Sequence, residues 1–207
     1  MNYLKIKPTF IQLISGALIL GIGFIALSAF SWAWWSLFIT GMLAWFITFQ
    51  KEGWQGFKLS KKVWISLLAV FITFCVSMIT ALISKSLGFN WAANPFHGTI
   101  FALAFKVPLM LMGEELLSIW ILESAQSKGL SFIKSTLLSS AIFGLLHIFV
   151  YWDGGFVSSL IHVLLLQSVA RLIFNYVYIK TGRSLWGSWL THYLFDTIGF
   201  LIVGAVK

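Results

Sequence analysis

The chain has 207 residues, of which 59% are hydrophobic and only 10% are charged, and its mean hydropathy is +0.93. Soluble domains carry about 25% charged residues, and a chain of this length cannot enclose so much apolar surface, so a soluble globular fold is excluded and lipid is the expected solvent. The net charge of +8 does not indicate a nucleic-acid partner, because Lys and Arg lie between apolar runs and form no basic stripe on a polar domain.

Seven apolar runs are long enough to cross the roughly 30 Å hydrocarbon core of a bilayer. In chain order they lie at about 9–30, 32–49, 63–84, 99–122, 135–152, 157–179 and 184–205. The separators between them are too short to be domain linkers. The sequence therefore predicts an all-α fold, a polytopic transmembrane helix bundle of about seven spans that forms one domain over residues 1–207.

Lys and Arg are concentrated in alternate separators. If the N-terminus is cytoplasmic, ten of these residues lie on the inner side, and only Lys85 and Lys207 lie on the outer side. The inner set is Lys5, Lys7, Lys51, Lys58, Lys61, Lys62, Lys128, Lys134, Lys180 and Arg183. This asymmetry predicts a multi-pass protein of the cell membrane with a cytoplasmic N-terminus and, after seven spans, an extracytoplasmic C-terminus.

Several ionisable residues fall inside the predicted spans, where a charged side chain costs about 2.5–3.5 kcal/mol on insertion scales. They are Lys106, Glu114, Glu115, His147, His162, Arg171, His192 and Asp196. Intramembrane ionisable residues are functional by default. We nevertheless expect Lys106 to extend to the outer surface, His162 to be a helix-packing or interfacial residue, and His97 to lie in a loop.

Glu114, His147 and His192 come from three different spans and lie about 12–18 Å from the inner ends of those helices, at about 1.5 Å per residue. His192 and Asp196 are four residues apart and share a helix face. Glu114 and Glu115 are about 100° apart on a helix, so we expect one to face a pocket and the other to contact a partner. The sequence therefore predicts one water-accessible cavity, lined by Glu114, His147 and His192 and opening at the inner side.

These residue types favour hydrolytic chemistry. A buried carboxylate beside an imidazole can activate water, and a second histidine can stabilise the oxyanion of a tetrahedral intermediate. This is the chemistry of a peptide hydrolase that needs no covalent nucleophile and no cofactor. The sequence has neither a Gly-x-Ser-x-Gly elbow nor an HExxH zinc helix. A metal bound by Glu, His and Asp stays open, although no recognised ligand spacing is present.

Three short motifs occur in order: EELLSI at 114–119, FGLLH at 143–147 and HYLFD at 192–196. They resemble the patterns Glu-Glu-x-x-x-Arg, Phe-x-x-x-His and His-x-x-x-Asn or Asp of the CAAX protease and bacteriocin-processing family, also called the Abi family, of intramembrane glutamic endopeptidases. The segment 180–186 also resembles the family's approach to its last motif. The resemblance covers about residues 99–196, which form the motif-bearing core.

The resemblance implies a role for each site residue. Glu114 activates the attacking water, and His147 assists it. His192 and Asp196 bind the oxyanion side. Glu115 holds the geometry of the site. The implied substrate is a peptide or membrane protein in the lipid bilayer, and the implied context is bacteriocin immunity or peptide maturation.

Ile119 stands where the family has arginine, which leaves Glu115 without its usual cation. This departure favours an alternative function, a catalytically inactive immunity or scaffold protein that binds a peptide partner in the membrane. A small transporter is a third possibility, but it predicts broken helices and repeat symmetry that the sequence lacks. Arg171 lies at nearly the depth of Glu115 and is the candidate replacement cation; otherwise it caps helix carbonyls or extends to the inner surface.

Overall fold

A computed structural model describes residues 7–91 and 98–204, and the regular elements in these residues are helices, so the prediction of an all-α fold is confirmed. The α-helices are α1 (Phe10–Ala29), α2 (Ser36–Phe49), α3 (Val63–Ser86), α4 (Val107–Ser127), α5 (Phe132–Leu146), α6 (Phe156–His162), α7 (Ser168–Lys180) and α8 (Leu185–Val203). The 3₁₀ segments are Ser31–Ala33 and Gln50–Phe57, and the π-helical segments are Ala102–Lys106 and Val163–Gln167. His97 lies outside the described residues.

The helices match the predicted apolar runs in order, with α6, the π segment and α7 forming one continuous helix. Three helices of the described chain are long and apolar enough to cross a membrane: Phe10–Ala29, Val63–Ser86 and Phe156–Lys180. The apolar helix α5 is shorter, at 15 residues. The chain is therefore an all-helical membrane protein with three candidate spans, and the count of seven spans stays a prediction.

Polar residues at helix ends fix where several helices begin. Thr9 forms a capping box with Gln12: the Gln12 backbone N–H donates to the Thr9 hydroxyl, and the Thr9 backbone N–H donates to the Gln12 side chain. The Ser131 hydroxyl accepts a hydrogen bond from the Lys134 backbone N–H at the start of α5. Before α6, the hydrogen bond from the Ser158 hydroxyl holds the pKa of the partly buried Asp153 carboxyl below its usual range.

With α6 and α7 counted as one continuous helix, successive helices run in opposite directions. The start of α1, the end of α4 and the loops before α3 and α8 lie at the same end of the bundle. Lys128 Nζ, after α4, donates to the Pro8 carbonyl before α1 (3.0 Å), and the Ser184 hydroxyl, before α8, donates to the Lys58 carbonyl before α3 (2.6 Å). We call this end the basic end, because it carries most of the cations of the described chain. These are Lys7, Lys51, Lys58, Lys61, Lys62, Lys128, Lys134, Lys180 and Arg183.

Small residues let α2 and α4 approach closely. A Cβ on Gly113 would lie 2.7 Å from the Phe38 backbone nitrogen, and one on Gly41 would lie 2.9 Å from the Leu116 Cβ. Glycine is therefore required where these two backbones cross, as is common between helices in membranes. This contact holds the middle of α4, which carries Glu114 and Glu115, against the core.

Large apolar side chains also cover much of the outer surface of the bundle. Ile22 of α1, Phe71 of α3 and Phe149 after α5 are exposed by 65%, 65% and 83%. Soluble monomers rarely expose contiguous apolar surface on this scale. This surface is suited to lipid, in agreement with the composition.

Candidate functional site

A cavity of about 690 Å³ lies between the helices. Four of the five predicted site residues line it: Glu114 from α4, His147 from the end of α5, and His192 and Asp196 from α8. The remaining lining is mainly apolar. Glu115 is fully buried and is not part of the cavity wall. The two glutamates therefore divide as their angular separation predicts, with one facing the cavity and the other facing a partner.

The cavity occupies the half of the bundle remote from the basic end. Its wall includes Phe24 and Ser28 near the end of α1, His147 directly after α5, and Phe200 near the end of α8. All three helices begin at the basic end. The prediction that the cavity opens at the side with most Lys and Arg is therefore wrong. Residues near the middle of their helices can face either end, so helix depth alone could not decide the direction.

His147 lies on a turn and not within a helix, because α5 ends at Leu146 instead of continuing to about residue 152 as predicted. The His147 ring nitrogen Nδ1 is 2.8 Å from the Phe143 carbonyl oxygen, and the His147 backbone N–H donates to Gly144 instead. The side chain thus takes the carbonyl that the next helical turn needs, which ends the helix. An Nδ1–H bonded to this carbonyl leaves the His147 Nε2 lone pair free.

The Glu114 carboxylate lies between two histidines. Its Oε2 is 3.8 Å from Nε2 of His147 and 3.9 Å from Nε2 of His192. On the other side of His192, Oδ2 of Asp196 lies 3.6 Å from the same Nε2. These separations are longer than direct hydrogen bonds but short enough for a water molecule to contact two of the groups at once. The geometry therefore suits the positioning of a water or a carbonyl oxygen.

Glu115 anchors the second histidine and pairs with Arg171. The Nδ1 of His192 lies 3.0 Å from Glu115 Oε1, which fixes the ring so that Nε2 faces the cavity. The guanidinium of Arg171 binds Glu115 through both terminal nitrogens, at 2.5 and 2.9 Å, and both side chains are fully buried. The prediction that Arg171 supplies the counter-charge is confirmed, and the alternatives of carbonyl capping or extension to the surface are wrong.

The Arg171 guanidinium is enclosed by further partners. Its Nε donates to the Asn175 side-chain oxygen at 3.0 Å, and Nη2 also donates to the Ser188 hydroxyl at 3.0 Å. The rings of Phe143 and Phe174 lie 5.6 and 5.5 Å from the guanidinium carbon, at distances that allow cation–π attraction. The pair is therefore hydrogen-bonded and packed on all sides, as a buried ion pair must be if it is to be tolerated.

A family model for type II CAAX prenyl endopeptidases of the Rce1-like type matches residues 94–198. This match includes all three motifs and about half of the chain. The chain belongs to this family. No curated protein and no solved structure matches the chain in the other two comparisons.

The structure explains how this member of the Rce1-like family departs from its family's first motif. Ile119 has no exposed surface and packs in an apolar cluster with Leu116 and Leu122. The cation that the motif normally places four residues after Glu115 comes here from Arg171, on a neighbouring helix. The departure changes where the cation originates but leaves Glu115 neutralised.

Two polar residues of this Rce1-like site were missed in the sequence. Asn175 and Ser188 complete the network around Arg171. A signal was present, because Asn175 lies four residues after Arg171 and Ser188 four residues before His192. His162, which was expected to be a packing or interfacial residue, lines the cavity as well. It is stacked parallel to Trp91 with ring centroids 4.8 Å apart, so it is a packing residue that also borders the site.

Within residues 7–91 and 98–204, no group of three or more His, Cys, Asp or Glu side chains is arranged to hold a metal ion.

Proposed function

We propose that this protein is an intramembrane endopeptidase of the CAAX type that hydrolyses a peptide bond with water activated by Glu114 and His147. The observation that carries the proposal is the convergence of Glu114, His147, His192 and Asp196 on one mainly apolar cavity. Membership of the Rce1-like family supports the same activity. Glu115 is neutralised separately by Arg171, so Glu114 is left to act on the substrate.

The first half of the reaction is addition of water. A water molecule beside Glu114 Oε2 and His147 Nε2 transfers a proton to the carboxylate as its oxygen bonds to the scissile carbonyl carbon. The free lone pair on His147 Nε2 accepts the second hydrogen of this water and orients it. The electron pair of the carbonyl π bond moves to the carbonyl oxygen, which becomes an oxyanion.

The second half is collapse of the tetrahedral intermediate. His192 and Asp196 lie on the oxyanion side. The Nδ1–H of His192 is bound to Glu115, so His192 can donate a hydrogen bond from Nε2 to the oxyanion only when both of its ring nitrogens carry protons. As the carbonyl re-forms, the carbon–nitrogen bond breaks, and the proton held by Glu114 passes to the leaving amine. Asp196 orients His192 and faces its cationic form.

The proposed substrate is a peptide or a membrane protein, and the proposed setting is bacteriocin immunity or peptide maturation. We also propose seven spans, with the N-terminus in the cytoplasm and the C-terminus outside, because Lys and Arg are concentrated at the basic end. A reporter fused after Lys207 tests this orientation. It should be active only in its extracytoplasmic form, and activity confined to a cytoplasmic reporter would contradict the orientation.

The alternative is an inactive immunity or scaffold protein that binds a peptide in the same cavity. Replacement of the motif arginine by Ile119 favours this alternative. The Arg171–Glu115 pair weakens it, because the carboxylate that the motif arginine serves is still neutralised. Binding without hydrolysis is the outcome that separates the two functions.

The test uses the purified full-length protein in liposomes with internally quenched peptides, one carrying a prenylated Cys-aliphatic-aliphatic-X sequence and one without the prenyl group. The variant Glu114→Gln should lower hydrolysis by about 10²–10⁴-fold, the usual contribution of a general base. Glu52→Gln, at the basic end and outside the cavity wall, is the matched control and should be unchanged. Equal hydrolysis by Glu114→Gln would reject the site, and binding by the wild type without hydrolysis would favour the scaffold.

A further inference from the structure

We infer that the site is open to the extracytoplasmic side of the membrane, so that its substrates are apolar peptide segments presented from outside the cell and not cytoplasmic chain ends. The inference rests on the proposed function for the chemistry. The direction of access, however, follows from the structure and the charge distribution and can be tested without measuring hydrolysis.

The first observation is the position of the cavity wall along each helix. The wall includes Val107, the first residue of α4, and Ser28, the last but one of α1. It also includes Val150 in the turn after α5 and Gly199 in the last turns of α8. Each of these positions lies at the end of its helix remote from the basic end. Four independent helices therefore place the cavity in the same half of the bundle.

The second observation is what lies between the cavity and the basic end. On each of the helices α4, α7 and α8, a cavity-lining residue is followed, in the direction of the basic end, by a residue of the hydrogen-bonded network around the Arg171–Glu115 pair. Glu115 follows Glu114 on α4, Arg171 follows Ala170 on α7, and Ser188 precedes His192 by one turn on α8. Glu115, Arg171 and Ser188 have no exposed surface. A peptide arriving from the basic end would have to break this ion pair, whereas one arriving from the other end would not.

The third observation is charge. Nine Lys and Arg residues of the described chain lie at the basic end, whereas Lys85 and Lys106 lie toward the other end. Lys and Arg accumulate in the cytoplasmic loops of membrane proteins. The basic end is therefore cytoplasmic, and the half that contains the cavity is extracytoplasmic.

Together these observations define the class of substrate. The cavity wall is mainly apolar, with Phe195 and Phe200 beside the polar groups, so an apolar peptide segment fits it. Such a segment reaches this half of the bundle from a secreted peptide or from a membrane-inserted protein. The prenylated C-terminus of a cytoplasmic protein reaches it only by crossing the bilayer.

Access can be measured with a single cysteine in the cavity. Cys75 is replaced by Ser, and Gly199→Cys is then introduced, because a Cβ at this position has no atom within 4 Å and the thiol projects into open space. Intact cells are treated with a charged, membrane-impermeant methanethiosulfonate. We expect Gly199→Cys to react in intact cells. The matched control, Lys134→Cys at the basic end, should react only after the membrane is permeabilised.

The outcomes are distinct. The inference is overturned if Lys134→Cys reacts in intact cells and Gly199→Cys reacts only after permeabilisation. A Gly199→Cys that stays unreactive in intact cells while Lys134→Cys reacts on permeabilisation would overturn it too. If Gly199→Cys is not produced in the membrane, Val150→Cys, which is exposed and borders the cavity, takes its place. Labelling in intact cells combined with no hydrolysis would reject the proposed function alone.

Discussion

Arg171 of α7 and Glu115 of α4 form a bidentate ion pair in which neither side chain has any exposed surface. The free-energy cost of removing two ions from water is offset only if the pair has good geometry and the remaining donors and acceptors are hydrogen-bonded. Asn175 and Ser188 supply these bonds to the guanidinium, and His192 supplies one to the carboxylate. The pair therefore links three helices beneath the cavity and orients one of its histidines.

The first prediction concerns the stability that depends on this pair. Arg171→Met leaves a buried carboxylate unpaired and Glu115→Gln leaves a buried cation unpaired, so each should lower the free energy of unfolding by about 3–5 kcal/mol. The double variant should lose less than the sum, with a coupling of about 0.5–3 kcal/mol. Unfolding in mixed detergent micelles measures the free energy of unfolding of the two single variants and of the double variant. Arg171→Met combined with the remote Glu52→Gln is the control and should be additive, whereas additivity of Arg171→Met with Glu115→Gln would contradict the pairing.

The second prediction concerns the motif position itself. Because Glu115 is already neutralised by Arg171, Ile119→Arg places an unpaired cation in an apolar cluster. It should destabilise the protein by several kcal/mol and should not raise activity. Ile119→Leu, which keeps the volume, is the matched control and should cost less than about 1.5 kcal/mol. Restored or increased hydrolysis in Ile119→Arg would show that Arg171 does not replace the motif arginine.

The sequence predicted the ion pair because a charge inside an apolar run requires a partner. Arg171 and Glu115 lie at similar depth on different helices, and few other buried charges were available to either. The same depth argument failed for the direction of the cavity. It counts residues along a helix and does not show which groups fill the space on either side of them. Here the buried pair lies next to the cavity on the side of the basic end.

The third prediction concerns Asp196. Asp196→Asn keeps a polar group beside His192 and can donate directly to an oxyanion, so hydrolysis should stay within about tenfold of the wild type. Asp196→Ala removes both the polar group beside His192 and any donor to the oxyanion. It should lower kcat by about 10²–10³-fold with little change in KM. Steady-state kinetics with the quenched peptide measures both variants. Equal kcat values for Asp196→Ala and the wild type would remove Asp196 from the oxyanion side.

The fourth prediction concerns the packing of α5. A Cβ on Gly144 would lie 2.1 Å from the Ser168 hydroxyl oxygen and 2.9 Å from the Val163 carbonyl oxygen. Gly144→Ala should therefore push α5 away and lower the free energy of unfolding by about 1–3 kcal/mol. Gly199→Ala meets no atom within 4 Å and is the control, which should be neutral or slightly stabilising. Thermal unfolding in detergent compares the two, and equal midpoints would contradict close packing at Gly144.

The end of α5 shows a second limit of sequence interpretation. The apolar run continues past His147 through Ile148, Phe149 and Val150, so hydropathy predicts that the helix continues. The helix ends because the His147 ring takes the Phe143 carbonyl, a local competition that hydropathy does not register. A bulky apolar sequence can therefore form a turn where one polar side chain redirects the backbone.

The π segment Val163–Gln167 shifts the phase of the continuous helix Phe156–Lys180, which borders the cavity. His162 and Gln167 both line the cavity although five residues separate them, a spacing that turns an α-helix by roughly 140°. The wider π turn returns the fifth residue to nearly the same side. The helix face that borders the cavity is thus continuous in space but interrupted in sequence. Deleting one residue from the segment would rotate α6 and its histidine relative to α7 while leaving every other residue unchanged.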